Sequence, residues 1–365
     1  IQFSDTVKLM IILLISSIIV FTVFGNILVM LAFIVDKRLH TQSNFFLLNL
    51  AICDFIIGVF VSPLYVHYLV TGKWVFGSYL CKLWLICDYT MCTASALNVV
   101  LISYDRFLSV TKAVLYRSLQ NKHRQTVIRM ATVWVMSSLL YSPAIMFWES
   151  VFGKKDKDDG MCQAGFFDTW YFHLITSCFD FVLPLISISF FNLTIYWNIS
   201  KRNRKRRQLY VPRPSATKEQ HAKPFIIATD LVLYSRCKNG QKKTAASNQK
   251  KNLQQCLQTC KIVSSASSQE KVLPYNLNVH CYKLSRDKKV AKSLAVLVSV
   301  FFICWAPYTF LVSIRTACRG YCIASYWFDV TVWMLYLNSA INPILYPLCH
   351  KSFRKAFTII LHMHF

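Results

Sequence analysis

Three aspartates, Asp54, Asp88 and Asp180, lie in stretches that are otherwise apolar enough to cross a bilayer. An acid at such a place costs about 2.5–3.5 kcal/mol on insertion scales, so acids there face a bundle interior and are functional by default. The stretch around Asp88 organises the chain. From Cys81 to Val110 it reads CKLWLICDYTMCTASALNVVLISYDRFLSV, with Asp88 near one end and the Asp105-Arg106 pair near the other. At about 1.5 Å rise per residue the two acids stand roughly 25 Å apart on one helix, against a hydrocarbon core of about 30 Å. A carboxylate facing a partly dry cavity suits an ammonium group, because Coulomb attraction strengthens as the effective dielectric falls and a charge-assisted hydrogen bond outdoes a neutral one. The alternative is a structural ion pair, but no Lys or Arg lies in the outer half of any apolar span.

Asp180 adds a second acid and suits a ligand with two polar ends. It can accept an imidazole N–H or pair with imidazolium; the alternative is a neutral buried acid with a local partner. Asp54 belongs with Asn26, Ser95, Asn338, Ser339 and Asn342 to a polar set at mid-membrane depth. A lone carboxylate there protonates or finds a cation, and a water-filled hydrogen-bond network is the other reading. Tyr65, Tyr89, Trp305, Tyr308, Trp333 and Tyr336 can box an ammonium by cation–π contact, although membrane aromatics also serve as packing and interface anchors.

The elements that must position these groups are apolar helices. The chain is 55% hydrophobic and 15% aromatic, with mean hydropathy +0.39, which is rare for a soluble domain of this size. Seven spans can be read, at Leu9–Val35, Phe45–Val70, Leu83–Val110, Val127–Trp148, Tyr171–Ile199, Val290–Ile314 and Trp327–Leu348. The expected fold is therefore all-α, a seven-transmembrane helix bundle. Most of the net charge of +25 falls between Lys201 and Lys292. With Lys37, Arg38, Lys112, Arg117, Lys122, Arg124, Lys351, Arg354 and Lys355 it puts the N-terminus outside and the C-terminus inside. Apolar spans on both sides of the basic run argue against a nucleic-acid partner and for membrane lipids.

The expected organisation is spans one to five over 1–200, a basic and mostly disordered loop over 201–289, spans six and seven over 290–348, and a tail over 349–365. In the tail, HKSFRKAFTIIL alternates basic and apolar residues as a short amphipathic helix would. Within the loop, Phe225–Tyr234 has no account, and CLQTC at Cys256–Cys260 is a weak metal signal. Ile1 is not a methionine, so a preceding segment is expected. Pro63, Pro143, Pro184, Pro307 and Pro343 interrupt spans and can kink them; a moving role is expected at Pro184 and Pro307. No nucleophile–base set or metal motif supports an enzyme. A transporter would use intramembrane acids too, but no inverted repeat is evident and the span count is odd.

Gly25-Asn26, LNLAICD ending at Asp54, Asp105-Arg106-Phe107, Trp134, FFICWAPY at Phe301–Tyr308 and NPILY at Asn342–Tyr346 occur in order on successive spans. In these motifs the chain resembles the rhodopsin-like (class A) G-protein-coupled receptors over nearly its whole length. Asp88, seven residues after Cys81, resembles the aminergic branch. DYTMCTASALNVVLISYDRFLSV, FFNLTIYWNI, KVAKSLAV and NPILYPLCHKSFRKAF resemble the histamine receptors, the type-3 branch first and the type-4 branch next. The resemblance implies histamine or a similar small amine as ligand, a heterotrimeric G protein of Gi/o type as partner, and the plasma membrane as location. For the pocket it implies Asp88, Tyr89, Cys92, Asp180, Trp305, Tyr308, Thr309, Tyr336, Trp333 and Tyr65, with Phe166 and Phe167, just after Cys162, as a lid. Receptors for catechols typically present serines where TSCFDF offers only Ser177, and the family carries Glu where Asp180 stands.

The resemblance further implies a sodium ion at Asp54, Ser95, Asn338, Ser339 and Asn342. It implies a switch made of Asp105, Arg106, Asp287, Pro307 and Tyr346, in which Arg106 pairs with Asp287. It also implies disulfides Cys81–Cys162 and Cys318–Cys322. A receptor for another biogenic amine, or a degenerate receptor copy, remains an alternative.

Overall fold

The computed structural model describes residues 5–120, 123–153, 160–167, 169–209, 275–318, 322–349 and 351–362. The expectations for Phe225–Tyr234 and Cys256–Cys260 lie outside the described residues, as does the side chain of Asp287. The chain divides into two units, 1–199 with 288–365, and 200–287. The first unit carries every residue of the expected ligand pocket.

The described elements are helices. They are α1 (Asp5–Val35), α2 (Gln42–Ile56), α3 (Ser62–Thr71), α4 (Gly77–Thr111), α5 (Ala113–Gln120), α6 (His123–Phe152), α7 (Trp170–Ser177), α8 (Leu183–Leu209), α9 (Tyr275–Ala317), α10 (Ser325–Cys349) and α11 (Lys351–His362). Helices keep every backbone N–H and C=O bonded within the segment, which hydrocarbon demands. Six helical stretches among the described residues are long and apolar enough to cross a membrane: Leu9–Val35, Gln42–Thr71, Gly77–Thr111, Arg124–Phe152, Trp170–Arg202 and Ala295–Ala317. The seventh expected span falls in α10, which has 25 residues. Its low apolarity has a local cause, since Asn338, Ser339, Asn342, Pro343 and Pro347 replace hydrocarbon side chains. Helices begin earlier than hydropathy suggests, as at Gly77 for the span read from Leu83, because a helix continues past the point where its side chains become polar.

Burial departs from that of a soluble bundle, for an apolar core here also holds polar groups while large apolar side chains face outward. Leu13, Phe24, Leu139, Ile186, Leu193 and Trp197 are exposed, while Asn26, Asn49, Asp54, Asn98 and Asp105 are fully or almost fully buried. That is the pattern of a bundle whose solvent is lipid. α4 lies against α2 and α6, and α1 lies against α2 and α10. At one α1–α10 contact, a Cβ on Gly25 would stand 3.0 Å from Pro343 Cβ, tighter than an ordinary contact, so glycine eases the approach.

Two spans are not continuous α-helix. Ile57–Val61, between α2 and α3, and Cys178–Val182, between α7 and α8, are wide π-type turns. Pro63 and Pro184 follow them. A proline removes an N–H and its ring presses on the carbonyl four residues back, here Val59 and Asp180. A π turn relieves both by widening the helix, and such turns recur at functional sites. Pro143 and Pro307, in contrast, sit inside α6 and α9.

Cys81 at the start of α4 is bonded to Cys162, with Cα atoms 5.7 Å apart. The backbone N–H of Trp74 donates to Gly160 O at 2.7 Å beside it. Cys318 and Cys322 are bonded likewise, Cα to Cα 6.0 Å. α11 buries Phe353, Ala356 and Ile360 and exposes Arg354 and Lys355, the amphipathic helix expected after the seventh span.

Candidate functional site

Helical spacing puts Asp88, Tyr89, Cys92 and Thr93 on neighbouring positions of one face of α4. The stripe His173, Thr176, Ser177 runs along α7 and reaches Asp180 in the π turn. These residues, with Tyr141 from α6, Trp305, Tyr308, Thr309 and Val312 from α9 and Leu335 from α10, line one cavity of about 50 Å³. Several water-sized volumes fit there, so the space suits a small polar molecule.

The two acids have separate partners. Tyr336 Oη donates to Asp88 Oδ1 at 2.9 Å, and Cys92 Sγ lies 3.7 Å from the same oxygen. Thr93 Oγ1 donates to Asp180 Oδ1 at 3.0 Å, and Tyr141 Oη donates to Asp180 Oδ2. Asp88 and Asp180 thus present carboxylates to one cavity, with no Lys or Arg among the lining residues. That arrangement can hold a cation at either end, or a molecule that donates at both.

Of the expected pocket residues, Asp88, Tyr89, Cys92, Asp180, Trp305, Tyr308 and Thr309 come together on the cavity wall, and Tyr336 joins them through Asp88. Tyr65, Trp333 and Phe166 do not line it. Tyr65 Oη donates to Asp329 Oδ1 at 2.7 Å, and its ring packs on Trp84, Trp333 and Tyr336. Trp333 meets Tyr336 edge-on at 5.5 Å, one layer behind the wall. Phe166 differs most from expectation. It is 0% exposed and packed among Tyr89, Tyr141, Trp148 and Phe172, because aromatic rings from α4, α6 and α7 converge on it. It buttresses the wall, whereas Phe167, the other residue expected in the lid, stacks under the Arg315 guanidinium at 4.9 Å.

Thr93, Tyr141, His173, Thr176, Val312 and Leu335 are not singled out by the sequence, and Ser177 only as the lone serine of TSCFDF. For Thr93, and for the stripe running from His173 to Ser177, the signal was present, since each shares a helical face with a named acid. Tyr141 carries no such signal. His173 Nε2 lies 2.7 Å from Phe167 O, which fixes the ring against the segment after Cys162.

Deeper in the bundle, Asp54 is 0% exposed and accepts from Asn342 at 2.8 Å and Ser95 at 3.4 Å. Asn26 Nδ2 donates to Ser339 O at 3.2 Å. Asn26 Oδ1 and Asn342 Oδ1 are buried without a donor. One carboxylate with oxygen acceptors lacking donors fits a small hard cation, which takes oxygen ligands. Asn338 is buried one helical turn from Asn342. At the other end of α4, Asp105 is 0% exposed and bonds across elements rather than only beside Arg106. It accepts from Gln42 Nε2 at 3.2 Å, from Ser43 Oγ, and from Tyr116 Oη at 3.4 Å. Burial, and then the Asp105 charge, push the Tyr116 phenol above its ordinary value. Phe107 packs against Phe191, ring centroids 5.3 Å apart and the planes tilted. Tyr346, from the expected switch, is buried and packs on Phe353 of α11.

The family described as the 7 transmembrane receptor (rhodopsin family) matches residues 25–346. The histamine H4 receptor of Homo sapiens is 38% identical over 347 residues, covering 91% of this chain and 87% of that receptor. The histamine H4 receptors of Mus musculus and Rattus norvegicus are each 37% identical, and each match covers 92% of this chain and 88% of the receptor. These are type-4 receptors, the branch that the sequence motifs put second.

Proposed function

This chain belongs to the rhodopsin family of seven-transmembrane receptors, and on that premise we propose that it is a histamine receptor. The observation that carries the reading is that Asp88 and Asp180 line one small cavity. Histamine has an ammonium at one end and an imidazole at the other. Asp88 takes the ammonium, held in place by the Tyr336 hydroxyl and flanked by the rings of Tyr89 and Tyr308. Asp180 takes an imidazole N–H. Trp305, on the cavity wall, stacks on Phe301 at 5.3 Å, so a ligand that moves Trp305 pushes on α9 just before Pro307.

The N-terminus lies outside and the Arg106 end of α4 inside, as the basic loops argue. Binding shifts a pre-existing equilibrium toward the state that engages a heterotrimeric G protein, and its Gi/o class is supported by the family resemblance. Asp54, Ser95 and Asn342, with Asn338 and Ser339 beside them, would hold a sodium ion, which neutralises a buried charge that otherwise has no cation.

The test is G-protein activation in cells expressing this chain at measured surface levels, titrated with histamine beside dopamine, serotonin and acetylcholine. A selective response to histamine, lost in Asp88→Ala, is expected. An undiminished histamine response in Asp88→Ala at normal surface expression refutes the proposal.

A further inference from the structure

We infer that Tyr141 is the specificity-determining residue at the far end of the cavity, where it positions Asp180 so that the site accepts distal groups that donate hydrogen bonds and disfavours those that only accept. This rests on the amine-receptor reading above and deepens it.

The argument is one of donors and acceptors. A tyrosine hydroxyl has one proton to give. That of Tyr141 goes to Asp180 Oδ2, so what Tyr141 has left is an acceptor. Thr93 Oγ1 is committed in the same way to Asp180 Oδ1 at 3.0 Å. A carboxylate has about four lone-pair positions, of which two are now filled. The remaining positions, with the lone pairs left on Thr93 and on Tyr141, which the Thr176 hydroxyl also approaches, make this end of the cavity rich in acceptors. Imidazole, imidazolium or amidinium groups fit it, and distal carbonyls or ethers do not.

Tyr141 cannot easily turn away. It is 3% exposed, its ring lies 4.7 Å from Tyr89, and Phe166 and Phe172 close the other sides. The acid is therefore held against α4 and α6 and reaches the ligand only as far as these two bonds allow. A further consequence concerns ligands with an apolar distal end. Tyr141 and Thr93 already satisfy one position on each oxygen, so a phenyl ring placed against Asp180 strips little from it.

Removing the Tyr141 hydroxyl changes that. In Tyr141→Phe, Oδ2 keeps no protein donor. Histamine supplies one, whereas phenethylamine, similar in shape but without a distal N–H, leaves the oxygen buried and unpaired. The affinity ratio of histamine to phenethylamine should rise roughly tenfold, the scale of one unsatisfied buried acceptor. Thr93→Val should move the ratio the same way without touching the aromatic wall, which covers the case in which Tyr141→Phe folds poorly. In an Asp180→Ala background neither change should move the ratio.

The measurement is displacement of tritiated histamine by histamine and by phenethylamine on membranes from cells expressing each variant. A raised ratio that vanishes with Asp180→Ala is the expected result. Equal shifts for both ligands would mean that Tyr141 only packs, and would overturn this inference while leaving the histamine reading standing. No saturable histamine binding to the unaltered chain at normal surface expression would overturn both.

Discussion

Gly165 stands between Cys162 and Phe166, and the strictest geometric test falls there. A Cβ built on it would lie 2.6 Å from Trp148 Cδ1, 3.0 Å from Cγ and 3.2 Å from Cβ. These are atoms at the root of the indole, and Trp148 is held by Phe152 at 4.5 Å, Phe172 at 5.3 Å and Phe166 at 5.7 Å. The ring cannot swing clear, so either the segment after Cys162 moves or the cluster repacks. Overpacking of this kind costs about 1–3 kcal/mol. At about 2–4 °C per kcal/mol in chains of 150–250 residues, Gly165→Ala should lower the melting midpoint of detergent-solubilised protein by roughly 2–12 °C. Trp148→Leu removes the obstructing ring, so adding Gly165→Ala to it should cost much less, a coupling between the two sites of the kind a double-mutant cycle measures. Histamine affinity should fall with Gly165→Ala as well, because Phe166 backs Tyr89 and Tyr141. Thermal unfolding followed by a thiol-reactive dye reads the stability arm. If Gly165→Ala melts within about 1 °C of the unaltered chain, or costs as much in Trp148→Leu as alone, the segment does not press on Trp148 and the buttress argument is wrong.

Buried carboxylates lead to two more expected outcomes. Asp54→Asn should abolish the dependence of agonist affinity on sodium chloride, measured against N-methyl-D-glucamine chloride at equal ionic strength; an unchanged sodium effect would remove Asp54 from the proposed cation site. Ser43→Ala takes a donor from Asp105 and should cost about 1.5–3 kcal/mol, the worth of a hydrogen bond to a charged group. The cost appears as lower thermal stability or raised basal G-protein activation, and neither would appear if the Ser43 bond were incidental.

Much of this molecule is legible in its sequence, for identifiable reasons. Membrane spans are long and apolar, so six of seven stand out by hydropathy. α10 is the weakest by that measure because the polar residues that serve Asp54 dilute it. Asp88 and Asp180 are legible because an acid in hydrocarbon must have a purpose. Thr93 and the His173–Ser177 stripe lie one helical period away and escape notice only because hydroxyl and imidazole groups are unremarked in a membrane helix. Tyr141 is not legible at all. Its relation to Asp180 exists only because α6 packs against α4 beside the turn that carries Asp180, and no spacing within the fourth span encodes that. Phe166 is expected at the mouth because it follows Cys162, yet it is carried inward by the aromatic residues around it. Proximity in the chain to a disulfide says which segment is anchored and nothing about which way its side chains turn.

The π turn at Cys178–Val182 has a bearing on how chains of this kind are compared. It holds one more residue than the α-helix it interrupts, so the stretch before it and the stretch after it are out of phase by about a quarter turn. A gap-free correspondence with a relative lacking the bulge would match α8 correctly and misassign every position of α7 by one. The missing residue would be counted nowhere, since neither sequence shows a gap. Counting from Pro184 backwards is therefore safe only as far as the turn. Beyond it, equivalence has to be judged by which side chain faces the cavity, and the numbering of His173, Thr176 and Ser177 carries no such guarantee by itself.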